Sequence, residues 1–324
     1  MVYRQQMALT LFKHEHEERR FLAIEKLNLL YNLLTTILII IFYERLQCPQ
    51  TMLLGRFVIL AGTFAIIYLY TKFPSAAMRL VRIIGQMALL SYWYPDTFEF
   101  NRIFPNLDYW FAGIEQSLFG CQPSMLFDQL CNGYWWREAF NMGYWAYYPM
   151  IATVILWYFF KRPQETERCK FVVIASFYIF YLIYIFVPVA GPQFYFPAIG
   201  NELVANGIFP EIGNYFDLHP LIDIPQAGKD GFFTSLVNMA QASGERPTAA
   251  FPSSHIGIST VLMLLALRGN KGLAVVLLPF YVLLCCATVY IKAHYLIDAI
   301  AGLLSGVLFY LLTSTVFDKC IMSK

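Results

Sequence analysis

Eight apolar stretches, each close to the length of a membrane crossing, constrain this chain more than any other feature. A bilayer core takes about 20 apolar residues of helix. Stretches of that kind fall at roughly 27–43, 53–71, 79–94, 142–160, 171–190, 253–268, 272–291 and 295–317. The second carries Arg56 near its start, the third is short and holds Arg82, and the sixth opens on the polar run PSSH. No soluble fold hides so many helices that are apolar all round. Composition agrees: 58% of residues are apolar and 14% charged, against about 25% charged in an average soluble domain. A disordered chain, a disulfide miniprotein and an ordinary cytosolic enzyme are excluded. The expected fold class is all-α, a polytopic membrane helix bundle of about eight transmembrane helices.

The basic residues set the expected orientation. With the N-terminus called inside, sixteen of the 23 Lys and Arg fall in the inner segments and seven in the outer ones. Both termini are therefore expected on the cytoplasmic side. The first 26 residues are polar and charged, with no removable signal peptide visible. A net charge of +2 carries no nucleic-acid signature. Two outer segments are long. Residues 95–141, with Trp110, Trp135, Trp136, Asp108 and Asp128, read as interfacial helices at headgroup depth. Residues 191–252 carry Gly and Pro at GPQFYFP and a second cluster before Arg246.

None of the seven cysteines forms a CxxC pair, so neither a zinc site nor a redox motif is indicated. Cys121 and Cys131 share one polar loop and are either bridged or two plain thiols. Of five histidines, His14 and His16 lie in the charged tail and His219 has no partner at useful spacing. His255 and His294 both fall at the outer end of an apolar helix, where an ionisable residue is costly and defaults to a functional reading. Asp298 lies four residues after His294, on the same face if both are helical. A carboxylate on one imidazole nitrogen would fix the tautomer and free the other nitrogen; a structural pair tying helix ends is the alternative. The segment Pro252-Ser253-Ser254-His255 reads as a capped helix start, whose open N–H groups and dipole favour an anion. Ser253, Ser254 and His255 would ring a phosphate there, and Arg246 could add charge-assisted bonds. No metal-ligand set and no cofactor is indicated.

At these residues the sequence resembles the type-2 phosphatidic acid phosphatase superfamily, whose pattern is KxxxxxxRP, then PSGH, then SRxxxxxHxxxD. Arg246-Pro247 matches the end of the first block, residues 252–255 the second with Ser254 in place of Gly, and His294 and Asp298 the end of the third. The first-block Lys would fall at Met239 and the third-block Ser-Arg at Ala287-Thr288, so two cations are missing; Lys292 and Lys229 are candidate substitutes. Those departures resemble the inositol phosphorylceramide synthase branch, as do residues 116–150 and FVPVAGPQFYF at 186–196. The resemblance implies a six-helix phosphatase-type core and metal-free cleavage of a phosphoester through a phosphohistidine. His294 would be the nucleophile, Asp298 its orienting group and His255 the general acid and base. Arg246, Ser253, Ser254 and Lys292 would hold the phosphate.

The organisation expected is a cytoplasmic tail at 1–26, N-terminal transmembrane helices with the outer segment at 27–141, a catalytic transmembrane core at 142–317 and a tail at 318–324. A phosphotransferase moving a headgroup such as phosphoinositol onto a lipid acceptor such as ceramide is the leading expectation. A hydrolytic lipid phosphate phosphatase stands beside it, and a transporter or lipid-binding protein with degenerate blocks is a third class. Membrane lipids are the expected partners, with no nucleic acid and no obligate protein partner. The basic bias fits a bacterial inner membrane with the site facing the periplasm.

Overall fold

The computed structural model describes residues 21–219 and 231–321. His14, His16 and Lys229 lie outside those residues. The described chain is helical, with no β-strand among its elements. In chain order the principal helices are α1 (Ala23–Ile41), α2 (Pro49–Lys72), α3 (Ala76–Ala88), α4 (Leu90–Asn101), α5 (Asp108–Phe119), α6 (Pro123–Leu130) and α7 (Tyr134–Trp145). They continue with α8 (Tyr147–Lys161), α9 (Thr166–Phe186), α10 (Pro192–Ile199), α11 (Phe232–Gly244), α12 (Ser254–Gly269), α13 (Lys271–Tyr290) and α14 (Leu296–Val316).

Among the described residues, five helices are long and apolar enough to cross a membrane: Ala23–Ile41, Pro49–Lys72, Pro163–Phe186, Lys271–Tyr290 and Leu296–Ile321. They overlap five of the eight expected stretches. The stretch at 253–268 becomes the 16-residue α12, shorter than a full crossing. The stretch at 79–94 is not one helix, because α3 ends at Ala88 and α4 begins at Leu90. The stretch at 142–160 is divided between α7 and α8 at Ala146. Pro149 accounts for that break, since it has no N–H to give the carbonyl four residues earlier. Hydropathy reads the apolar run and is blind to where a helix is interrupted.

The chain forms two compact units, Met1–Asp96 and Thr97–Lys324. In the first, the two arginines that interrupt the apolar stretches are both paired. Arg82 donates from Nε and Nη2 to the two oxygens of Glu25 at 2.8 and 2.7 Å, with both side chains almost fully buried. Arg56 clasps Asp96 in the same way at 2.7 and 2.5 Å. Two parallel bonds satisfy a buried guanidinium in a way that a single contact does not. Asn28 adds a bond to Gln86 Oε1 at 2.5 Å. Polar contacts between helices take over here because apolar burial offers little drive inside lipid.

In the second unit α9 is the most enclosed of the long helices, with 78% of its apolar window buried. It packs against α8, α12 and α14, while α13 lies along α7 and α12. α12 and α14 cross closely. A Cβ on Gly302 would stand 2.5 Å from the Ser253 carbonyl oxygen, and one on Gly306 would stand 2.5 Å from that of Gly257. The two backbones touch, as small residues allow between membrane helices. This crossing sets the start of α12 against the start of α14. Cys121 and Cys131 are free thiols, as are the other cysteines.

Candidate active site

Three loops meet where α12 and α14 begin: residues 188–191, 249–252 and 291–295. The Ala250 N–H donates to the Val189 carbonyl at 2.9 Å, and the Gln193 N–H to the Lys292 carbonyl at 2.8 Å. Asp108, at the start of α5, binds all this from below. Its carboxylate accepts from the N–H groups of Ala190 and Gly191 at 2.6 and 2.8 Å, from Asn106 at 2.7 Å and from the Tyr295 hydroxyl at 3.1 Å. Glu115, two turns further along α5, accepts from the Leu296 N–H at 2.5 Å and caps α14. Gly191 and Lys292 have φ of 94° and 66°, and Ala249 has φ of 68°. Such backbone costs energy for residues with a Cβ and gathers at working sites.

His255 and His294 face each other across this junction, with ring centroids 5.8 Å apart. His255 lies between two aromatic rings, stacked on Tyr144 at 4.6 Å and tilted against Tyr147 at 4.6 Å. Its Nδ1 is buried without a partner. His294 is 3% exposed, and burial pushes its imidazole down to about 4. It is neutral at neutral pH.

The partner that holds the His294 ring is not the one expected. Nδ1 lies 2.8 Å from the Ala250 carbonyl oxygen and 3.9 Å from Asp298 Oδ2. The carbonyl can only accept, so the proton sits on Nδ1 and Nε2 is the free nitrogen. Asp298 spends Oδ2 on the Tyr295 N–H at 2.9 Å, and its Oδ1 is buried without a partner. The four-residue spacing misleads because α14 begins at Leu296, leaving His294 in the turn before it. Asp298 occupies the third position of the helix, where a carboxylate caps the first turn.

The expected phosphate cradle is also partly committed elsewhere. The Ser253 N–H donates to the Asp298 carbonyl at 3.1 Å, and the Ser254 N–H to the Tyr184 hydroxyl at 3.0 Å. Ser253 Oγ accepts from the Ile256 N–H at 3.4 Å, as an N-cap does. Of the N–H groups at 253–255, that of His255 is left open. Lys292 donates to Asp128 Oδ2 at 2.8 Å. Met239, at the position of the missing lysine, is 69% exposed, and Ala287 and Thr288 are buried. The Arg246 side chain is half-buried and makes no ion pair or hydrogen bond among the described residues. His219 is exposed and stacks on Tyr215.

An apolar pocket of about 780 Å³ lies between α6, α12, α13 and α14. Its wall includes Phe127 and Leu130 of α6, Ile256 directly after His255, Val289 of α13, and Leu296 and Leu303 of α14. Sequence reasoning did not find Tyr144, Tyr147, the Ala250 carbonyl or the work of Asp108 and Glu115, since none carries a local pattern.

Burial pushes the Glu115 carboxyl up to about 7. A carboxyl raised on folding is ionised more easily when unfolded, so stability is present below the unfolded value and is lost as pH rises toward the folded one. The wild-type thermal midpoint in detergent should therefore fall between about pH 5 and 7.5. Glu115→Gln keeps the accepting oxygen, loses the ionisation and should flatten that dependence.

A family model described as the PAP2 superfamily matches residues 109–312. No curated protein and no solved structure matches the chain.

Proposed function

The chain belongs to the PAP2 superfamily, whose model covers more than half of it, and we propose that it is a membrane phosphotransferase acting on lipids through a phosphohistidine at His294. A lipid phosphatase-type activity is what the family supports. The observation that carries the finer reading is the facing histidine pair, with Ile256, the residue after His255, on the wall of an apolar pocket. A near-attack contact is about 3–3.5 Å, so a phosphorus held between rings 5.8 Å apart is within reach of both.

His294 Nε2 attacks phosphorus, forming an N–P bond as the bond to the leaving lipid oxygen breaks. His255, which burial keeps neutral in the empty site, takes up a proton as the anionic phosphate enters and gives it to that oxygen. An acceptor hydroxyl then attacks the phosphohistidine, loses its proton to His255 and releases His294 as neutral imidazole. The Ala250 carbonyl holds the ring of His294 throughout. Arg246 and the open His255 N–H are the groups proposed to meet the phosphate oxygens, with Ser253 and Ser254 shaping the helix start behind them. Lys292 joins them only by leaving Asp128. The reaction needs no metal in this reading, and turnover should persist in excess chelator.

Water has to be kept from the phosphohistidine for transfer to win over hydrolysis. The cavity supports that preference, because a lipid chain filling it would close the apolar side. Phosphoinositol as the moving group and ceramide as acceptor are the pair proposed for first trial. About eight crossings, a six-helix core and a bacterial inner membrane with the site facing the periplasm complete the proposal, supported by the basic bias along the chain.

The test is purified protein in detergent with phosphatidylinositol or phosphatidic acid, with and without ceramide or diacylglycerol, read by mass spectrometry and a free-phosphate assay. A new phosphodiester lipid requiring both acceptor and His294 is expected. Free phosphate from phosphatidic acid, indifferent to acceptor, would make it a hydrolase. Arg246→Ala should lower kcat/KM about tenfold to a hundredfold, the worth of a hydrogen bond to a charged group.

A further inference from the structure

An imidazole that serves as a general acid commonly leans on a carboxylate, whose charge favours the protonated ring. His255 has none. Its ring makes no hydrogen bond or ion pair among the described residues, and its Nδ1 is buried. What the ring touches is aromatic. Tyr144, at the end of α7, stacks on it with centroids 4.6 Å apart and planes 26° apart. Tyr147, at the start of α8, meets it at 4.6 Å and 46°. The backbone stays right-handed through the break at Ala146, so residues three apart share a face and both tyrosines reach one imidazole.

The face of an aromatic ring is the negative side of its quadrupole. A cation within about 6 Å of the centroid is attracted to it, more strongly where water is excluded. Both tyrosines meet that distance on His255. The titratable groups on the other elements packed around α12 are engaged elsewhere. On α9 the Tyr184 hydroxyl donates to the Pro252 carbonyl at 2.9 Å. On α13 the Tyr281 hydroxyl meets Thr260 Oγ1 at 2.9 Å. On α14 Asp298 turns Oδ2 to the Tyr295 N–H. His294, with its ring 5.8 Å away, opposes a charge on His255 when it is itself protonated. Arg246, the cation proposed to meet the phosphate, also works against a second positive charge.

We propose that Tyr144 and Tyr147 are positioning residues that stabilise the imidazolium of His255 through their ring faces, in the role a carboxylate fills for other acid–base histidines. This inference rests on the phosphohistidine reading above and goes beyond it, by naming what holds the proton that His255 gives to the leaving oxygen.

The full chain in detergent tests it by NMR titration with isotope-labelled histidine and inorganic phosphate as the bound anion. The His255 signal is the one lost in His255→Gln. Tyr144→Phe keeps the ring face and should leave the His255 pKa within about 0.3 of wild type. Pentafluorophenylalanine in place of Tyr144 keeps the ring shape and reverses its quadrupole, and should lower that pKa by about one unit. The basic limb of kcat, which reports the loaded enzyme, should move down with it, about a tenfold loss on that limb. A purely structural role would give both aromatic replacements the same pKa. Equal values for the two, a rise with the fluorinated ring, or a wild-type His255 that stays neutral in phosphate would each overturn the proposal. Failure of the phosphohistidine reading looks different: His294→Gln would then retain turnover, whatever the two replacements at Tyr144 do to His255.

Discussion

His294→Gln is expected to lower turnover by about 10⁴-fold or more, with the protein still folded. The side chain keeps a group that can donate to the Ala250 carbonyl, the contact that fixes the native ring at 2.8 Å. What it loses is the nitrogen proposed to attack phosphorus, so the proposed N–P bond could not form. His255→Gln should be similarly severe at steady state and differ in a single turnover. With His255 absent, a good leaving group that needs no proton should still phosphorylate His294. The phosphorylated protein would then accumulate and be lost in acid, as a phosphoramidate is. Quenching wild type and both variants with radiolabelled donor separates the roles. Label on wild type and His255→Gln but not on His294→Gln is the expected pattern. Label on all three would place the covalent step on another residue.

The pH behaviour follows from the same geometry. Because burial holds His294 near 4, its neutral form persists through the acid range in which an ordinary histidine, near 6.5, would be lost. An acid limb of kcat/KM close to 6.5 would have to come from another group.

Much of this was legible in the sequence, and the limits have physical causes. Apolar length and basic asymmetry point to a membrane helix bundle because a bilayer imposes both. His255 and His294 stand out because ionisable groups at that depth are costly. The spacing of four points to Asp298, whose Oδ2 lies 3.9 Å from His294 Nδ1, and cannot show the nearer Ala250 carbonyl, because α14 begins after His294. A capped helix start looks the same in sequence whether its N–H groups face solvent or, as at Ser253 and Ser254, Asp298 and Tyr184. Asp108 and Glu115 act on backbone groups some 80 and 180 residues away in the chain, and no local pattern records such a contact. Arg56 and Arg82 looked like flaws in apolar helices, and only the fold supplies Asp96 and Glu25 as their partners.

Gly302→Val is expected to cost more than about 10²-fold in turnover without touching a reacting group. The Cβ alone would stand 2.5 Å from the Ser253 carbonyl oxygen and 3.0 Å from Ser253 Cβ. Both belong to a helix start held by hydrogen bonds and have no flexible end to swing aside. The added methyls must push α12 and α14 apart at the point where they carry His255 and the turn of His294. Ser253 N–H to Asp298 carbonyl, at 3.1 Å, is the first bond to lengthen. A displacement of about 1 Å between catalytic groups is enough for a loss of that size, while overpacking costs roughly 1–3 kcal/mol of stability. Activity should therefore fall well before the fold does. Gly62→Val is the control, since a Cβ there meets nothing within 4 Å. Near-wild-type turnover in Gly302→Val would mean that the α12–α14 contact does not set the histidine geometry. Full loss in Gly302→Val with Gly62→Val unaffected, and with the folded yield of both retained, would locate the catalytic alignment in that crossing.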